Sequence, residues 1–549
     1  MNIEDLNLDG QIIKSKSKLE AFSKDASIFK IKPSVIVAPR NIEDIQKLVH
    51  FVTNKKKVGG KISLSARAAG TCMSGGSLTE SIVVSFSEYF QNIKQIGSDY
   101  AVTEMGVYYR DFEKETLKSG MILPSYPASR DLCAMGGIVN NNSAGEKTLR
   151  FGKTLDYVRE INMICADGNL YNFKEESEEE WRRICDIDKT FFGDIHRSID
   201  HILESEKEEI EKNMPTVSKN SSGYYLWKIY DQKKNTYNLA KLICGAQGTL
   251  GMVIDAKLGL VKKENFSRML VVFIKKVSDI PSIVSEVLPL APESFELYDD
   301  HTFKIAIRFW FDIAKKMGGN LFSLALQFIP EFMMVLTGGV PKIVLLAEFT
   351  GESQEEVDKK VNLAYEKTKK KFEDKKDVSI HLVGKDEAKK YWTFRRESFN
   401  LLRSKLSDMR TAPFIEDVVI HRDDFPTFFP EFEKLLDEYK LIYTIAGHVG
   451  DGNLHVIPLM KLNEEKNIET IRELSEKVYA LVGKYRGSIS GEHNDGLIRT
   501  PFLHYMFTPR MLELFVAVKN TFDPLNIFNP NKKVGASWDY ALKRIDRSI

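Results

Sequence analysis

The stretch Ala446-Gly447-His448-Val449-Gly450-Asp451-Gly452-Asn453-Leu454-His455 most constrains how this chain can fold. Ile442 and Ile445 precede it, and Val456 and Ile457 follow, so it reads as two short strands joined by a tight turn. Asp451-Gly452 is a strong two-residue hairpin signal, because both residue types tolerate positive φ. A turn there pairs Gly450 with Asn453, Val449 with Leu454, and His448 with His455. Directly opposed side chains have Cβ atoms about 4.5–5.5 Å apart. Two imidazoles at that spacing can share one metal ion at about 2.0–2.1 Å. Gly491-Glu492-His493 further on offers Glu492 as a third, anionic ligand and His493 as a free base. The plain alternative is a surface hairpin carrying two unrelated histidines.

A chain of 549 residues is too long for one ordinary core, so two or three domains are expected. Hydrophobic residues at 43% beside 28% charged residues suit a folded soluble protein. A net charge of +1 gives no global electrostatic case for nucleic acid. Cys72, Cys133, Cys165, Cys185 and Cys244 are scattered without a Cys-x-x-Cys pair, which argues against iron–sulfur clusters and zinc ribbons. Their odd, sparse set suits a reducing compartment, and no signal peptide is visible, so a cytoplasmic location is expected. Residues 303–338 mix large apolar side chains with Lys304, Arg308, Lys315 and Lys316. That segment is too broken to span a membrane. It suits either a helix peripheral on an anionic membrane face or an insertion packed on the domain surface or in a homodimer contact.

Residues 1–28 read as a polar lead-in, after which strands and helices alternate, arguing α/β or α+β. Expected strands include Ser34–Ala38, Lys61–Ala66, Ile82–Phe86 and Tyr100–Val107, with helices at Ile42–Thr53 and Tyr109–Ser119. Glu175–Glu180 reads as a solvated loop. Three clusters rich in small residues fall in this region: Arg67–Ser77, Met135–Gly145 and Gly245–Met252. Glycine lets a backbone approach a ligand, and successive N–H groups cradle anions. No G-x-G-x-x-G fingerprint is present, so a Rossmann domain is not expected. The three clusters together favour a large nucleotide cofactor wrapped in backbone. Glycine density drops near Lys262, which places the main boundary near 263. Beyond it, strands are expected at Val271–Lys275 and Ile343–Glu348 and a charged helix at Ser353–Phe372.

Several stretches resemble the FAD-linked oxidoreductases of the vanillyl-alcohol-oxidase/PCMH superfamily, close to the D-lactate, glycolate and D-2-hydroxyglutarate dehydrogenases. The carriers are Pro33–Pro39, Arg67–Ser77, Met135–Gly145, Phe151–Val158, Gly245–Ile254, Trp392-x-x-Arg395, Glu416-Asp417-Val418, the histidine hairpin, Gly491-Glu492-His493 and Phe522-Asp523-Pro524…Asn529-Pro530. The resemblance spans about 30–535 and implies an α+β fold. A PCMH-type FAD-binding domain of two subdomains would occupy 29–262. An antiparallel-sheet substrate domain would occupy 263–549, with 520–535 returning to the flavin domain. It implies that Arg67, Ala69, Gly70, Thr71, Gly75 and Gly76 enclose the FAD pyrophosphate. Pro127, Ser129, Gly136, Gly137, Asn141, Ser143 and Gly145 would line the flavin and ribityl chain, with Gly248, Gly251, Val253 and Ile254 near the adenine side and ring. Some members attach FAD through a histidine in the first loop; this loop has none, so noncovalent FAD is expected.

Oxidising a 2-hydroxy acid removes the hydroxyl proton and a hydride from the adjoining carbon, and flavin accepts the hydride. The resemblance implies a divalent metal, zinc or manganese, on His448, His455 and Glu492, with His493 as general base. Arg395 is the best carboxylate clamp; a plain ion pair with Glu397 or Glu416 is its alternative, and Arg403 and Arg410 are weaker candidates. Asn453 is expected to add a polar contact, and Asp417 to support a site loop. Two departures stand out. Many relatives read Gly-Glu-His-Gly-x-Gly where this chain has Gly491-Glu492-His493-Asn494-Asp495-Gly496. Ile415 stands where relatives acting on 2-hydroxyglutarate carry a lysine, which tilts toward a monocarboxylate such as D-lactate. Some close relatives append a cysteine-rich iron–sulfur domain; none is expected here, so electrons are expected to leave to a separate acceptor such as a quinone, a cytochrome or an electron-transfer flavoprotein. The competing readings are a flavin oxidase using oxygen, an enzyme like the non-redox ether-lipid synthases, and a noncatalytic flavin subunit.

Overall fold

The computed structural model describes residues 2–308, 339–375, 377–405 and 409–548, without the side chains of 305–308 and 396–405. Most of the expected insertion at 303–338 lies outside the described residues. Among the described residues, no helix is long and apolar enough to cross a membrane.

The first half is built on two large sheets, with a two-stranded one between Met121–Ile122 and Val261–Lys262. A four-stranded sheet runs in the order Gln11–Ile13, Val35–Ala38, Ile82–Ser85, Leu64–Arg67, its last three strands parallel. Of these, Val35–Ala38 and Ile82–Ser85 are nearly continuous apolar runs because both faces are covered, while the edge strand Leu64–Arg67 also carries Ser65 and Arg67. The helix Ile42–Lys57 covers one face. Asn41 accepts a hydrogen bond from the Asp44 amide at its start, and three lysines close its last turn, complementing the helix dipole. The second sheet has seven strands, all antiparallel, centred on Val158–Ile164 and Met252–Gly259.

The second half is one eight-stranded antiparallel sheet. Its order is Val378–Gly384, Phe266–Ile274, Ile343–Gly351, Ser294–Asp299, Ile442–His448, Asn453–Met460 and Arg410–Thr411, with Val418–Val419 paired beside Asn453–Met460. The helix Gln354–Lys371 packs on it, with Ser353 accepting from the Glu356 amide as its cap. The architecture is thus α+β, with an antiparallel domain beside a two-sheet domain.

One expectation is corrected here. Glu175–Glu180 is not a loop: it is the end of the strand Leu170–Ser177 and the first turn of the helix Glu178–Ile187. Ser177 accepts from the Glu180 amide, and three glutamates sit at the positive end of the helix dipole. A charge run that looked solvated is a helix start.

The C-terminal segment comes back to the first half. Leu64 pairs with Phe528 as a parallel bridge. The buried Asn529 accepts from Ser65 Oγ at 2.9 Å and donates to the carbonyls of Gly76 and Gln247 at 2.8 and 2.7 Å. One amide thereby ties the strand Leu64–Arg67 to two of the small-residue clusters. Each buried partner left unsatisfied costs roughly 1–3 kcal/mol. Asn529→Ala is expected to destabilise the protein by about 2–4 kcal/mol and to weaken cofactor retention, read as a lower melting temperature and faster loss of bound flavin on dilution.

Candidate active site

The histidine hairpin forms, but not with the expected turn. The strands pair His448 with Asn453, Gly447 with Leu454, and Ala446 with His455, and a 3₁₀ turn at Val449–Asp451 fills the loop. Of the two turn residues only Gly452 has positive φ (+72°), whereas a type I′ turn needs it at both central positions. A Cβ on Gly452 would lie 1.9 Å from the Ile420 carbonyl oxygen, so glycine is required there. His448 and His455 are therefore diagonal neighbours instead of directly opposed. The register differs by two residues, an even number, so both imidazoles stay on one face. Their ring centroids lie 5.2 Å apart.

Glu492 and His493 reach this face from a loop that Asp417 organises. Its Oδ2 accepts from the amides of Glu492 and His493 at 3.0 and 2.8 Å and from Ser490 Oγ at 2.8 Å. Its Oδ1 accepts from Asn453 Nδ2 at 3.1 Å, joining the loop to the hairpin. The departure at Asn494 is accommodated: it adopts φ +66°, a left-handed conformation that asparagine reaches more readily than most residues.

The four side chains converge on one atom. Nε2 of His455, His448 and His493 lies 3.1, 3.4 and 3.7 Å from Glu492 Oε1. Each Nδ1 is held from behind. His448 Nδ1 lies 2.7 Å from Glu296 Oε1, His493 Nδ1 lies 2.6 Å from Glu416 Oε2, and His455 Nδ1 lies 3.1 Å from the Glu416 carbonyl. Outer partners of this kind fix the orientation of metal-binding histidines. His448, His455 and Glu492 offer ligand atoms all within 4.8 Å of one another, and so do Glu416, His455 and His493. His493 is the most open of the four side chains, 23% exposed against 7% for His448 and Glu492.

Charge binds the cluster together. Burial opposes ionisation of Glu492, but Lys219 and His448 hold its pKa well below the ordinary carboxylate value. Burial likewise opposes protonation of His455, but Glu416 and Glu492 outweigh it and raise its pKa to about 10. His493 is also raised, with the Glu416 carboxylate overcoming burial. Glu416 is itself paired with the fully buried Arg499.

Arg395 forms an ion pair with Glu296, the carboxylate behind His448, and its buried Nε has no hydrogen-bond acceptor among the described residues. Of the two alternative partners, Glu416 pairs instead with Arg499, and the side chain of Glu397 lies outside the described residues. Arg410 is committed to Asp546 at 2.5 Å, and the side chain of Arg403 lies outside the described residues. Sequence reasoning missed Glu296, Lys219 and Arg499. Glu296 left no distinct signal, since its strand Ser294–Asp299 also carries Ser294 and Asp299 and shows its burial only in the fold.

A cleft opens between the small-residue clusters. Arg67, Ala69, Gly70, Thr71, Gly76, Gly136, Gly137, Asn141, Gly248, Gly251 and Val253 line it, joined by Met105, Asn140 and Gln247, which were not anticipated. Six expected residues lie off it. Ile254 packs in the core, because alternate residues of a strand face opposite ways. Gly75 is backed by Phe29, and Gly145 by the Tyr126 carbonyl. The Ser143 carbonyl accepts from Thr154, and neither Pro127 nor Ser129 is among the lining residues. The Arg67 guanidinium is tied to the carbonyls of Phe22 and Lys24, so it braces the loop. The cleft adjoins the histidine cluster: Asn494, next to His493, donates to the carbonyl of the lining residue Asn141 at 3.2 Å. Gln247 Oε1 accepts from the Gly496 amide at 2.8 Å.

Comparison with known proteins bears on both parts. The family described as FAD binding domain matches residues 33–174, and that described as FAD linked oxidases, C-terminal domain, matches residues 263–533. A D-2-hydroxyglutarate dehydrogenase of Pseudomonas putida is 25% identical over 536 residues, covering 95% of this chain and 50% of its own length. The chain thus spans about half the length of the first curated relatives it matches. A D-lactate dehydrogenase of Archaeoglobus fulgidus is 24% identical over 510 residues, covering 91% of each chain. Among solved structures, the 4-ethylphenol oxidase of Gulosibacter chungangensis shares the fold at a TM-score of 0.66 with 13% identity, covering 96% of this chain and 95% of its own.

Histidines that ligate a cation must first lose their protons. Glu416 and Glu492 raise the pKa of His455 to about 10, so a cation taking this imidazole at neutral pH would displace a proton. Titration with Mn²⁺ at pH 7 is expected to release at least one proton per ion, and affinity is expected to rise with pH up to that pKa. Calorimetry in buffers of different ionisation enthalpy measures both.

Proposed function

We propose, from the premise that this chain belongs to the FAD-linked oxidases of the vanillyl-alcohol-oxidase/PCMH superfamily, that it oxidises a D-2-hydroxy acid of the D-lactate type to the 2-oxo acid. Electrons go to FAD bound without a covalent link, and onward to a separate acceptor. The observation that carries this reading is the convergence of three imidazole Nε2 atoms on Glu492 Oε1 beside the cleft.

The donor set fits a divalent cation of the zinc or manganese class. Two imidazoles, each with its Nδ1 held by an outer partner, and one carboxylate suit such ions. His448, His455 and Glu492 would hold the ion, which when bound supplies a Lewis acid that makes a substrate hydroxyl more acidic. FAD supplies the hydride acceptor.

The chain's own residues do the rest. His493 is the general base: Glu416 holds its Nδ1 proton, so Nε2 is the nitrogen left to take the hydroxyl proton. Its greater exposure suits that task, since a base must meet substrate. Arg499 pairs with the other oxygen of Glu416 and so keeps that carboxylate ionised and in place. Arg395, whose Nε has no acceptor among the described residues, would offer it to the substrate carboxylate while keeping its ion pair with Glu296. The buried, uncharged Ile415 beside Glu416 offers nothing to a second substrate carboxylate, which favours a monocarboxylate. The relatives named as D-2-hydroxyglutarate and D-lactate dehydrogenases support the broader 2-hydroxy acid class.

Under nitrogen, D-lactate is expected to bleach the flavin absorbance while L-lactate does not, and a chelator is expected to slow the reaction. His493→Ala should keep its FAD and reduce it roughly 10²–10⁴-fold more slowly. Full-speed bleaching by that variant would remove His493 from the role of base. Reduction unaffected by chelator in protein stripped of metal would remove the cation.

A further inference from the structure

Lys219 is fully buried, yet no part of the chemistry above uses it. It belongs to the first half of the chain and reaches across to the second. Its Nζ lies 3.3 Å from Glu492 Oε2 and 3.5 Å from Asp451 Oδ2. The segment that carries it is pinned on both sides. Ser218 Oγ donates to the Asp451 carbonyl at 2.7 Å. The Ser221 amide donates to the Ser490 carbonyl at 2.7 Å, and Ser221 Oγ to the Gly491 carbonyl at 2.9 Å. The lysine is therefore held against both the hairpin turn and the Glu492 loop.

The two oxygens of Glu492 have separate duties. Oε1 faces the three imidazoles, and Oε2 faces the ammonium. A carboxylate can chelate a cation through both oxygens only if both are free. A 2-hydroxy acid that binds a cation through its hydroxyl and carboxylate oxygens needs two adjacent open positions. We infer that Lys219 is a positioning residue: it restrains Glu492 to ligation through a single oxygen and so keeps a coordination position open for the hydroxy acid. This rests on the cation reading given above. Lysine suits the duty because its ammonium carries three donors and no acceptor, so it pairs with a carboxylate without competing for the ion.

The test uses the FAD-loaded protein, with Mn²⁺ as the cation and oxalate as a two-oxygen probe that is not turned over. Mn²⁺ affinity is measured by calorimetry, followed by oxalate affinity of the Mn²⁺-loaded protein and steady-state kinetics with D-lactate. Lys219→Met is expected to bind Mn²⁺ at least as tightly as the unaltered protein. Its oxalate affinity should fall at least tenfold, and its KM for D-lactate should rise by a similar factor, with a smaller change in kcat. Lys219→Arg should restore most of the oxalate affinity. Unchanged oxalate affinity and KM in Lys219→Met would overturn the inference. So would a parallel loss of Mn²⁺ and oxalate binding with a lower melting temperature, the mark of a purely structural lysine. If Lys219→Met does not fold, Lys219→Gln is read by the same criteria. Failure of the unaltered protein to bind Mn²⁺ at all would overturn the cation reading itself, and this inference with it.

Discussion

The carboxylate of Glu492 is the point on which the structure turns. It is buried, and a buried carboxylate is costly unless its charge is met. Here it is met on one oxygen by Lys219 and on the other by three imidazoles. These partners come from three separate stretches of chain: the segment around Lys219, the hairpin Ile442–Met460, and the glutamate's own loop. Satisfying one charge therefore forces the first half, the eight-stranded sheet and the loop into a single arrangement.

A second tier of acids holds that arrangement. Glu296 backs His448, Glu416 backs His455 and His493, and Asp417 takes both amides of the loop. Arg395 and Arg499 balance Glu296 and Glu416. Each imidazole thus presents Nε2 inward because its Nδ1 is engaged. The same loop continues through Asn494 and Gly496 to Asn141 and Gln247, so hydrogen bonds join the loop of the histidine cluster to the lining of the cleft.

Much of this was legible in the sequence, for reasons that can be named. The hairpin residues and Glu492-His493 are local motifs, and glycine clusters announce close backbone approach wherever they fall. The turn was misread because Asp451-Gly452 satisfies a compositional rule that the backbone does not follow: Asp451 has no positive φ. The consequence for the site was nil, since an even register shift keeps both histidines on one face. The outer partners were harder to see. Glu296 is strands away in the chain, in a stretch with three other acids close by, and only the fold marks it. Lys219 sits in the polar run Lys219-Asn220-Ser221-Ser222-Gly223, which reads like any surface loop until the fold buries it. Of the residues expected at a cofactor, those in the glycine-rich backbone line the cleft, while Ile254 is turned into the core by strand alternation and Gly75 is backed by the Phe29 ring.

The central claim is that these side chains hold one divalent cation beside the flavin. A crystal structure of the protein loaded with FAD and Mn²⁺, with anomalous scattering recorded at the manganese edge, tests it most directly. The account predicts one strong anomalous peak bonded to His448 Nε2, His455 Nε2 and Glu492 Oε1, on the side of the cleft facing His493. A peak elsewhere, or none with Glu492 still closed against the imidazoles, would contradict it.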